Sequence, residues 1–224
     1  MSKPMRTGTD AGTSAQEVRQ AYSRWAATYD LDANRTRDLD QQVTRRLLPE
    51  RRFARVLELG CGTGKNTATL ADIGSQVVAM DFSAGMLQRA RAKIDATNVD
   101  FVEADLTLQW PSQARAMDLI VGNLVLEHID DLTPVFAQAT QHLVTGGMML
   151  VCELHPFRQY QGTQARFADS NGAPVLIPAF QHHVSEYLRA ARDAGLVLRQ
   201  LDEWWHVEDK GLPPRLLSLV FDKP

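Results

Sequence analysis

One short segment constrains the fold of this 224-residue chain more than any other. An apolar run at residues 55–59 is followed by glycine at every second position, Gly60, Gly62 and Gly64, and then by a helix-like stretch. Glycine has no Cβ and tolerates positive φ, so a ligand can approach such a turn closely. The helix N-terminus beyond the turn offers unpaired N–H groups to a polar ligand. The segment therefore predicts a strand, a tight turn and a helix that together form a ligand site.

Short apolar runs and helical stretches alternate along the rest of the chain. Candidate strands lie at residues 55–59, 76–80, 98–102, 117–122 and 147–153, with helices between them near 64–73, 83–95 and 133–143. This alternation predicts an α/β fold with a doubly wound parallel sheet and right-handed crossovers. A later helix near 184–194 and strands near 196–204 and 214–221 predict an antiparallel hairpin at the end of the chain.

The flanking regions predict a lid and a ligand pocket. Residues 1–13 are small and polar, which is typical of a disordered tail. Residues 14–50 predict two lid helices, and residues 51–224 predict one domain with no internal linker. Within that domain, residues 154–183 break the strand–helix rhythm, and a long irregular stretch in a compact domain is usually functional or mobile. We expect this stretch to line a pocket at the carboxyl ends of the strands.

Composition excludes several classes of protein. The formal net charge of −3 gives no reason to expect a nucleic-acid partner. The two cysteines, Cys61 and Cys152, have no CxxC partner, and no pair of histidines has metal-ligand spacing, so we expect no metal site. No apolar run approaches the roughly 20 residues of a membrane span. We therefore expect a soluble cytoplasmic protein without a membrane partner.

Two interpretations of the glycine turn compete. A dinucleotide-binding fold requires G-x-G-x-x-G, but Lys65 occupies the position of the third glycine. The segment instead reads Glu-x-Gly-x-Gly-x-Gly, with Glu58 two residues before the first glycine. A carboxylate that faces the crevice at this point suits a ligand that carries positive charge.

The turn resembles motif I of the class I S-adenosylmethionine-dependent methyltransferases, and other segments resemble that family's further motifs in the same order. These segments are residues 77–87, 101–106, 117–128 and 143–150, and residues 21–30 resemble the lid helix of the small-molecule branch. The resemblance covers residues 15–153 well. It implies a single Rossmann-like domain with a seven-stranded, mostly parallel sheet, an antiparallel last strand, an N-terminal helical lid and S-adenosylmethionine as cofactor.

The resemblance also implies which residues near the strand ends bind the cofactor. Gly60 and Gly62 would let the backbone approach its methionine and ribose portions, and Glu58 would orient the methionine ammonium. Asp81, at the end of the second strand, would accept both ribose hydroxyls. Asn123, at the end of the fourth strand, would face the sulfonium.

A second group of residues would enclose the adenine. Phe82 and Met86 would sandwich the ring, and Asp105 would accept from its exocyclic amine beside the Leu106 amide. The lid residues that would cover the cofactor are Tyr22 and Tyr29. A purely structural alternative stays open for the apolar members, since each could instead belong to the core or to an apolar stripe of the lid.

Methyl transfer is an in-line displacement that depends on alignment, and a general base is needed only for an acceptor that must lose a proton. His155 is the first candidate base, because it follows the fifth strand and should lie at the mouth of the crevice. His128 is the second candidate. Either could instead be a hydrogen-bonded structural histidine. Aromatic residues of 154–183, with Arg158 and Arg166, suggest an aromatic or carboxylate-bearing acceptor.

Three other functions compete with this prediction. Lys65 argues against an NAD-dependent oxidoreductase. The polar residues that argue against a non-catalytic protein of the same fold are Glu58, Asp81, Asp105 and Asn123. Mild acidity argues against a methyltransferase for RNA or protein. We therefore predict methyl transfer to oxygen, nitrogen or carbon of a small molecule. Neither the acceptor nor the oligomeric state follows from the sequence.

Overall fold

Nine strands form the β-structure of the residues that the computed structural model describes, which are residues 11–48, 50, 52–169 and 171–224. The first five are β1 (Phe53–Leu59), β2 (Gly74–Asp81), β3 (Val99–Glu103), β4 (Met117–Asn123) and β5 (Leu143–Leu154). The last four are β6 (Arg166–Ala168), β7 (Pro174–Leu176), β8 (Val197–Trp204) and β9 (Leu216–Asp222). Strands β6 and β7 form a separate hairpin, and the other seven form one sheet.

The seven-stranded sheet has the order β3-β2-β1-β4-β5-β9-β8. Strands β1 to β5 are parallel to one another, while β9 runs antiparallel to both β5 and β8. The predicted α/β fold with an antiparallel hairpin at its end is thereby confirmed. The strand order reverses between β1 and β4, and in open α/β sheets ligands bind at the carboxyl ends of the strands beside such a reversal.

Seven helices surround the strands in the described part of the chain. They are α1 (Ala11–Trp25), α2 (Arg35–Leu47), α3 (Thr67–Ile73), α4 (Ala84–Lys93), α5 (Thr133–His142), α6 (Pro156–Tyr160) and α7 (Val184–Asp193). Their starts follow local chemistry. The Asn34 side chain accepts hydrogen bonds from two N–H groups at the start of α2, and Ser83 caps α4 in the same way. None of these helices is long and apolar enough to span a membrane.

Apolar layers cover both faces of the sheet. Successive residues of a strand point to opposite faces. Accordingly Leu57 and Leu59 belong to the larger buried cluster, which includes Phe136 of α5, while Val56 belongs to a second cluster with Val77 and others. Burial on both faces explains why the parallel strands appear in the sequence as continuous apolar runs.

The structure refines the predicted boundaries at three places. Helix α1 begins at Ala11, and the part of the predicted tail before that residue lies outside the described residues. Helix α3 begins only at Thr67, because a glycine-containing turn with positive φ precedes it. The stretch 154–183 contains α6 and the β6–β7 hairpin rather than irregular chain alone.

We expect Phe136→Ala to destabilise the protein by about 3–5 kcal/mol, because it would leave a cavity in the larger cluster. Phe136 is fully buried, and its ring meets that of Phe221 edge-to-face with centroids 5.8 Å apart. Val207→Ala is the control, since Val207 is 74% exposed and its loss should change stability by less than about 0.5 kcal/mol. Urea unfolding of the three proteins measures both values, and equal stabilities would contradict this description of the core.

Candidate active site

A cavity, here called the main cavity, lies at the carboxyl ends of the strands beside the reversal of strand order. Its lining includes the glycine turn at residues 60–63, Asp81 at the end of β2, Asn123 at the end of β4, and Tyr22 of α1. Most of the predicted cofactor residues meet here. Those that line the main cavity are Tyr22, Tyr29, Glu58, Gly60, Gly62, Asp81, Phe82, Asp105, Leu106 and Asn123.

The glycines of the turn have two different physical roles. Gly60 has a φ of +67°, and a Cβ at this position would lie 2.4 Å from Cγ2 of Val125, so no larger residue fits against the loop after β4. Gly62 has a φ of +54°, and a Cβ there would meet no atom within 4 Å. Gly60 therefore permits close packing within the protein, whereas Gly62 permits a left-handed backbone on the open side of the turn.

Asp81 connects the end of β2 to the glycine turn. One carboxylate oxygen accepts a hydrogen bond from the Gly62 N–H (2.9 Å), and the other accepts from the Ser83 N–H (2.8 Å). Burial raises the pKa of Asp81 to about 6, although these N–H groups oppose the shift. A carboxylate can accept about four hydrogen bonds, so Asp81 keeps capacity to accept from a ligand in the cavity.

Two further buried acids, Glu58 and Asp40, line the same cavity. Burial raises the pKa of Glu58 to about 8, and the neighbouring charges of Asp40 and Asp81 add to the shift; the Thr67 hydroxyl donates to Glu58 over 2.6 Å and opposes it. Burial also raises the pKa of Asp40. Like charges in one low-dielectric site disfavour ionisation, so a cation bound here would favour the ionised form of these acids.

Two asparagines present unpaired oxygens in the same place. The side-chain NH₂ groups of Asn66 and Asn123 both donate to Asp40, over 2.8 and 2.5 Å. Because Asp40 accepts from both NH₂ groups, the two Oδ1 atoms point elsewhere, and neither has a hydrogen-bond partner among the described residues although both are buried. An unsatisfied buried acceptor costs about 1–3 kcal/mol. The site thus offers acceptors that fit a ligand with N–H donors, such as an ammonium group.

The predicted adenine residues separate into two groups. Phe82, Asp105 and Leu106 line the main cavity. One Asp105 oxygen accepts from the backbone N–H and the hydroxyl of Thr107, over 2.9 and 2.6 Å. The structure corrects the placement of Met86, which does not line the main cavity but lies on the buried face of α4. Met86 is therefore a residue of the core, which is the purely structural alternative given above for the apolar residues.

Helix α1 closes over the cavity through a tyrosine–histidine hydrogen bond. The Tyr22 hydroxyl lies 2.8 Å from Nε2 of His128, and Nδ1 of His128 lies 2.8 Å from the Pro178 carbonyl oxygen. A carbonyl only accepts, so in the neutral imidazole Nδ1 carries the proton and Nε2 accepts from Tyr22. Burial raises the pKa of Tyr22 well above its usual value, which keeps the hydroxyl protonated as a donor.

The segment after α1 is fastened to the glycine turn. Asp30 accepts from the Thr63 hydroxyl (2.7 Å) and pairs with Lys93 of α4 (3.0 Å). Tyr29, next to it in sequence, lines the main cavity. These contacts hold the lid against the site from a second side.

The structure corrects the placement of His155, which does not line the main cavity. Its backbone N–H continues the pairing of β5 with β9 by donating to the Arg215 carbonyl. Its Nδ1 accepts from the Phe157 N–H (3.1 Å) at the start of α6, so Nε2 donates to Glu203 of β8 (2.9 Å). Burial lowers the pKa of His155 despite Glu203. The imidazole therefore caps a helix.

A second cavity, here called the outer cavity, adjoins the first. Tyr22, Tyr29, Arg37 and Leu124 line both, and residues 161–168 line the outer cavity alone. Of the two arginines predicted for an acceptor, Arg166 lines the outer cavity. The other, Arg158, is paired instead with Asp209 at 3.0 Å.

Sequence reasoning missed several polar residues of the site, chiefly Arg37, Asp40 and Asn66. Asp40 lies one turn before Thr44 on α2, and both are buried. The sequence carries no signal of this burial, because polar residues four apart beside an apolar stripe are equally typical of an exposed helix face.

Comparison with known proteins agrees with this geometry. A family model described as a methyltransferase domain matches residues 56–147. An uncharacterized methyltransferase of Emericella nidulans is 28% identical, over 91% of this chain and 84% of the relative. Trans-aconitate 2-methyltransferase of Deinococcus radiodurans is 33% identical over 59% of this chain, and the match spans only 57% of that relative.

Among solved structures, the N-methyltransferase NodS of Bradyrhizobium japonicum in complex with S-adenosylhomocysteine superposes with a TM-score of 0.70. The match covers 93% of this chain and 99% of that one at 18% identity, and so it bears on the fold alone. The chain therefore contains a methyltransferase domain over residues 56–147, and its sheet has the fold of S-adenosylmethionine-dependent methyltransferases of known structure.

Proposed function

We propose that the protein transfers a methyl group from S-adenosylmethionine to a small molecule, with the donor in the main cavity and the acceptor in the outer cavity. The observation that carries this proposal is the buried cluster of Asp40, Glu58 and Asp81 beside the glycine turn. When bound, S-adenosylmethionine supplies a methyl group that its positive sulfonium activates for displacement. NodS, which has the same fold, binds S-adenosylhomocysteine.

The polar groups of the main cavity fit the parts of this donor. The unpaired Oδ1 atoms of Asn66 and Asn123 would accept from the methionine ammonium, and the nearby carboxylates of Asp40 and Glu58 would balance its charge. Asp81 would accept from the ribose hydroxyls. Phe82, Leu106 and Asp105 would then enclose the adenine.

The same charges disfavour NAD as the ligand. Its pyrophosphate would have to lie over the glycine turn, close to Glu58. Juxtaposed like charges cost several kcal/mol. Lys65 does not neutralise them, because its ammonium pairs with Asp38 of α2 at 2.5 Å.

The lid residues Tyr22 and Tyr29, together with His128, would position the reactants. Tyr22 and Tyr29 cover the junction of the two cavities and would exclude water from the displacement. His128 fixes Tyr22, and both of its ring nitrogens are engaged in doing so. Alignment of this kind can contribute about 7–11 kcal/mol to the reaction.

A small-molecule acceptor is supported by the outer cavity, which lies beneath the lid, and by a relative named for a small acid, trans-aconitate. The test is incubation of the protein with methyl-labelled S-adenosylmethionine and an extract of the source organism, followed by dialysis. Label in the diffusible fraction supports the proposal. Label only in precipitable material would indicate an RNA or protein acceptor, and the absence of transfer despite donor binding would indicate a non-catalytic protein.

We expect Asp81→Asn to weaken binding of S-adenosylhomocysteine by about 10–100-fold, since a hydrogen bond to a charged group contributes about 1.5–3 kcal/mol. Asp100→Asn on the exposed part of β3 is the matched control and should bind as the wild type does. Isothermal titration calorimetry measures both. Unchanged affinity in Asp81→Asn would remove this carboxylate from the site.

Donor affinity should rise with pH between about 6 and about 8, the raised pKa values of Asp81 and Glu58. A cationic ligand binds the ionised carboxylates better, so binding releases a proton wherever the free protein still carries one. Glu58→Gln should flatten the upper part of this profile, and exposed Glu208→Gln should not. Titration in buffers of different ionisation enthalpy counts the proton, and affinity that falls with pH would contradict the assignment.

Tyr22→Phe should increase the dissociation rate of S-adenosylhomocysteine by about 2–12-fold, because one hydrogen bond of about 0.5–1.5 kcal/mol between lid and His128 is lost while the ring remains. Tyr160→Phe is a close control, since Tyr160 pairs with His183 at 2.5 Å on an exposed surface. Stopped-flow measurements would show the difference. Equal rates for both variants would mean that the hydrogen bond does not hold the lid.

A further inference from the structure

We propose that the acceptor is a carboxylic acid, that Arg37 binds its carboxylate, and that an oxygen of this carboxylate receives the methyl group. The inference rests on the proposed function and specifies the acceptor that the outer cavity takes. Positively charged side chains outnumber acids in that cavity. Its charged lining residues are four arginines and two acids: Arg35, Arg37, Arg166, Arg215, Asp32 and Glu127.

Arg37 is a buried arginine of this cavity, and none of the ion pairs among the described residues includes it. It is only 7% exposed, and its guanidinium donates to two backbone carbonyls, those of Tyr29 (2.5 Å) and Asp32 (2.9 Å). The guanidinium also lies over the Tyr29 ring, 4.0 Å from its centroid. Its Nε is buried without a hydrogen-bond partner, and no carboxylate of the described residues forms an ion pair with it. Buried charge is normally paired, so Arg37 fits an anionic ligand.

Arg215 adds positive charge at another part of the same cavity. Asp209 accepts two hydrogen bonds from it, at 2.6 and 2.8 Å, and also pairs with Arg158 at 3.0 Å. One carboxylate is thus shared by two guanidinium groups. The hydrogen bond with Arg215 holds the pKa of Asp209 well below its usual range. The group of three keeps one net positive charge, which Arg215 presents to the outer cavity.

The acids of the outer cavity do not cancel this charge at Arg37. Asp32 accepts from the Trp25 indole N–H at 2.9 Å, and Glu127 accepts from the Gln159 amide at 3.2 Å. Only the backbone carbonyl of Asp32 contacts Arg37. Neither carboxylate of the outer cavity therefore neutralises the Arg37 guanidinium by a direct ion pair.

The position of Arg37 makes the bound carboxylate the nucleophile. Arg37 lines both cavities, so a carboxylate paired with it lies at their junction, beside the donor. A carboxylate oxygen forms the new C–O bond as the C–S bond breaks, the electron pair remains on sulfur, and no proton moves. This step needs no general base. It agrees with His155 outside the cavity and with both ring nitrogens of His128 in hydrogen bonds.

The remaining lining indicates the body of the acid. Trp25 and Phe167 stack with centroids 5.6 Å apart, and both line the outer cavity with Leu154. A planar guanidinium favours planar oxyanions, and the aromatic walls favour an apolar group beside it. The geometry points to a carboxylic acid with an apolar or aromatic body.

The first test uses the protein saturated with S-adenosylhomocysteine and measures binding of matched probes by calorimetry. Phenylacetate and hexanoate are compared with phenylacetamide and hexanamide, and benzylphosphonate represents a different oxyanion. We expect at least one acid to bind at millimolar concentration about tenfold more tightly than its amide. Equal binding of acids and amides, binding of the phosphonate alone, or binding of no acid would overturn the proposal.

Variants then separate acceptor binding from support of the lid. Arg37→Gln should weaken binding of the acid by about 10–100-fold, as expected for loss of a charged hydrogen bond. Binding of the amide should be unchanged. Arg37→Lys keeps the positive charge but loses the planar guanidinium that binds both carboxylate oxygens. Its affinity for the acid should lie between those of the wild type and Arg37→Gln. The control is Arg192→Gln, which removes an exposed arginine of α7. If Arg37 only supports the lid, S-adenosylhomocysteine affinity and melting temperature will fall, and acids and amides will weaken equally.

The third arm identifies the methylated atom. The acid that binds is incubated with the protein and methyl-labelled S-adenosylmethionine, and the product is treated with alkali. A methyl ester releases its label as volatile methanol, whereas N-methyl, C-methyl and aryl ether products keep it. Non-volatile label, or no labelled product from a bound acid, would overturn the carboxylate as nucleophile. Failure of S-adenosylhomocysteine itself to bind would instead overturn the proposed function and this inference together.

Discussion

The hydrogen bonds that converge on Asp40 connect the main parts of this site. Asp40 belongs to α2, yet it accepts from Asn123 at the end of β4 and from Asn66 at the start of α3. One buried carboxylate thus joins the lid, the sheet and the helix after the glycine turn. Asn123 also donates to Thr44, one turn further along α2, which fixes the helix against the strand end.

The buried acids and unpaired amide oxygens of this site are energetically unfavourable in the free protein. We infer that a ligand compensates for them when it binds. Three carboxylates, Asp40, Glu58 and Asp81, are buried together, and burial raises the pKa of each. Two amide oxygens nearby have no partner among the described residues. Functional sites often hold such unfavourable groups because a ligand completes them. Here a positively charged ligand with N–H groups would balance the charge of the carboxylates and donate hydrogen bonds to the unpaired amide oxygens.

The predictable parts of the molecule are those encoded locally. Gly60, Gly62 and Asp81 lie at the ends of apolar runs, and a parallel sheet brings such ends to one edge whatever the rest of the chain does. Asn123 follows from the same rule. The fold was predictable for the same reason, since each parallel strand is a buried apolar run and each crossover a helical stretch.

The unpredictable parts depend on side-chain direction or on distant segments. His155 directly follows β5, but its direction is set by pairing with β9 and by the cap of α6, neither of which is visible in the neighbouring residues. Asp40 and Arg37 come from a helix remote in sequence from the strands that they serve. The three-residue strands of the β6–β7 hairpin are too short to show periodicity.

The central claim is that a buried acidic cavity selects a cationic methyl donor over a dinucleotide. Isothermal titration of the protein with S-adenosylhomocysteine and, separately, with NAD tests it most directly. The account predicts saturable one-to-one binding of S-adenosylhomocysteine and no binding of NAD. Binding of NAD without binding of S-adenosylhomocysteine would contradict it.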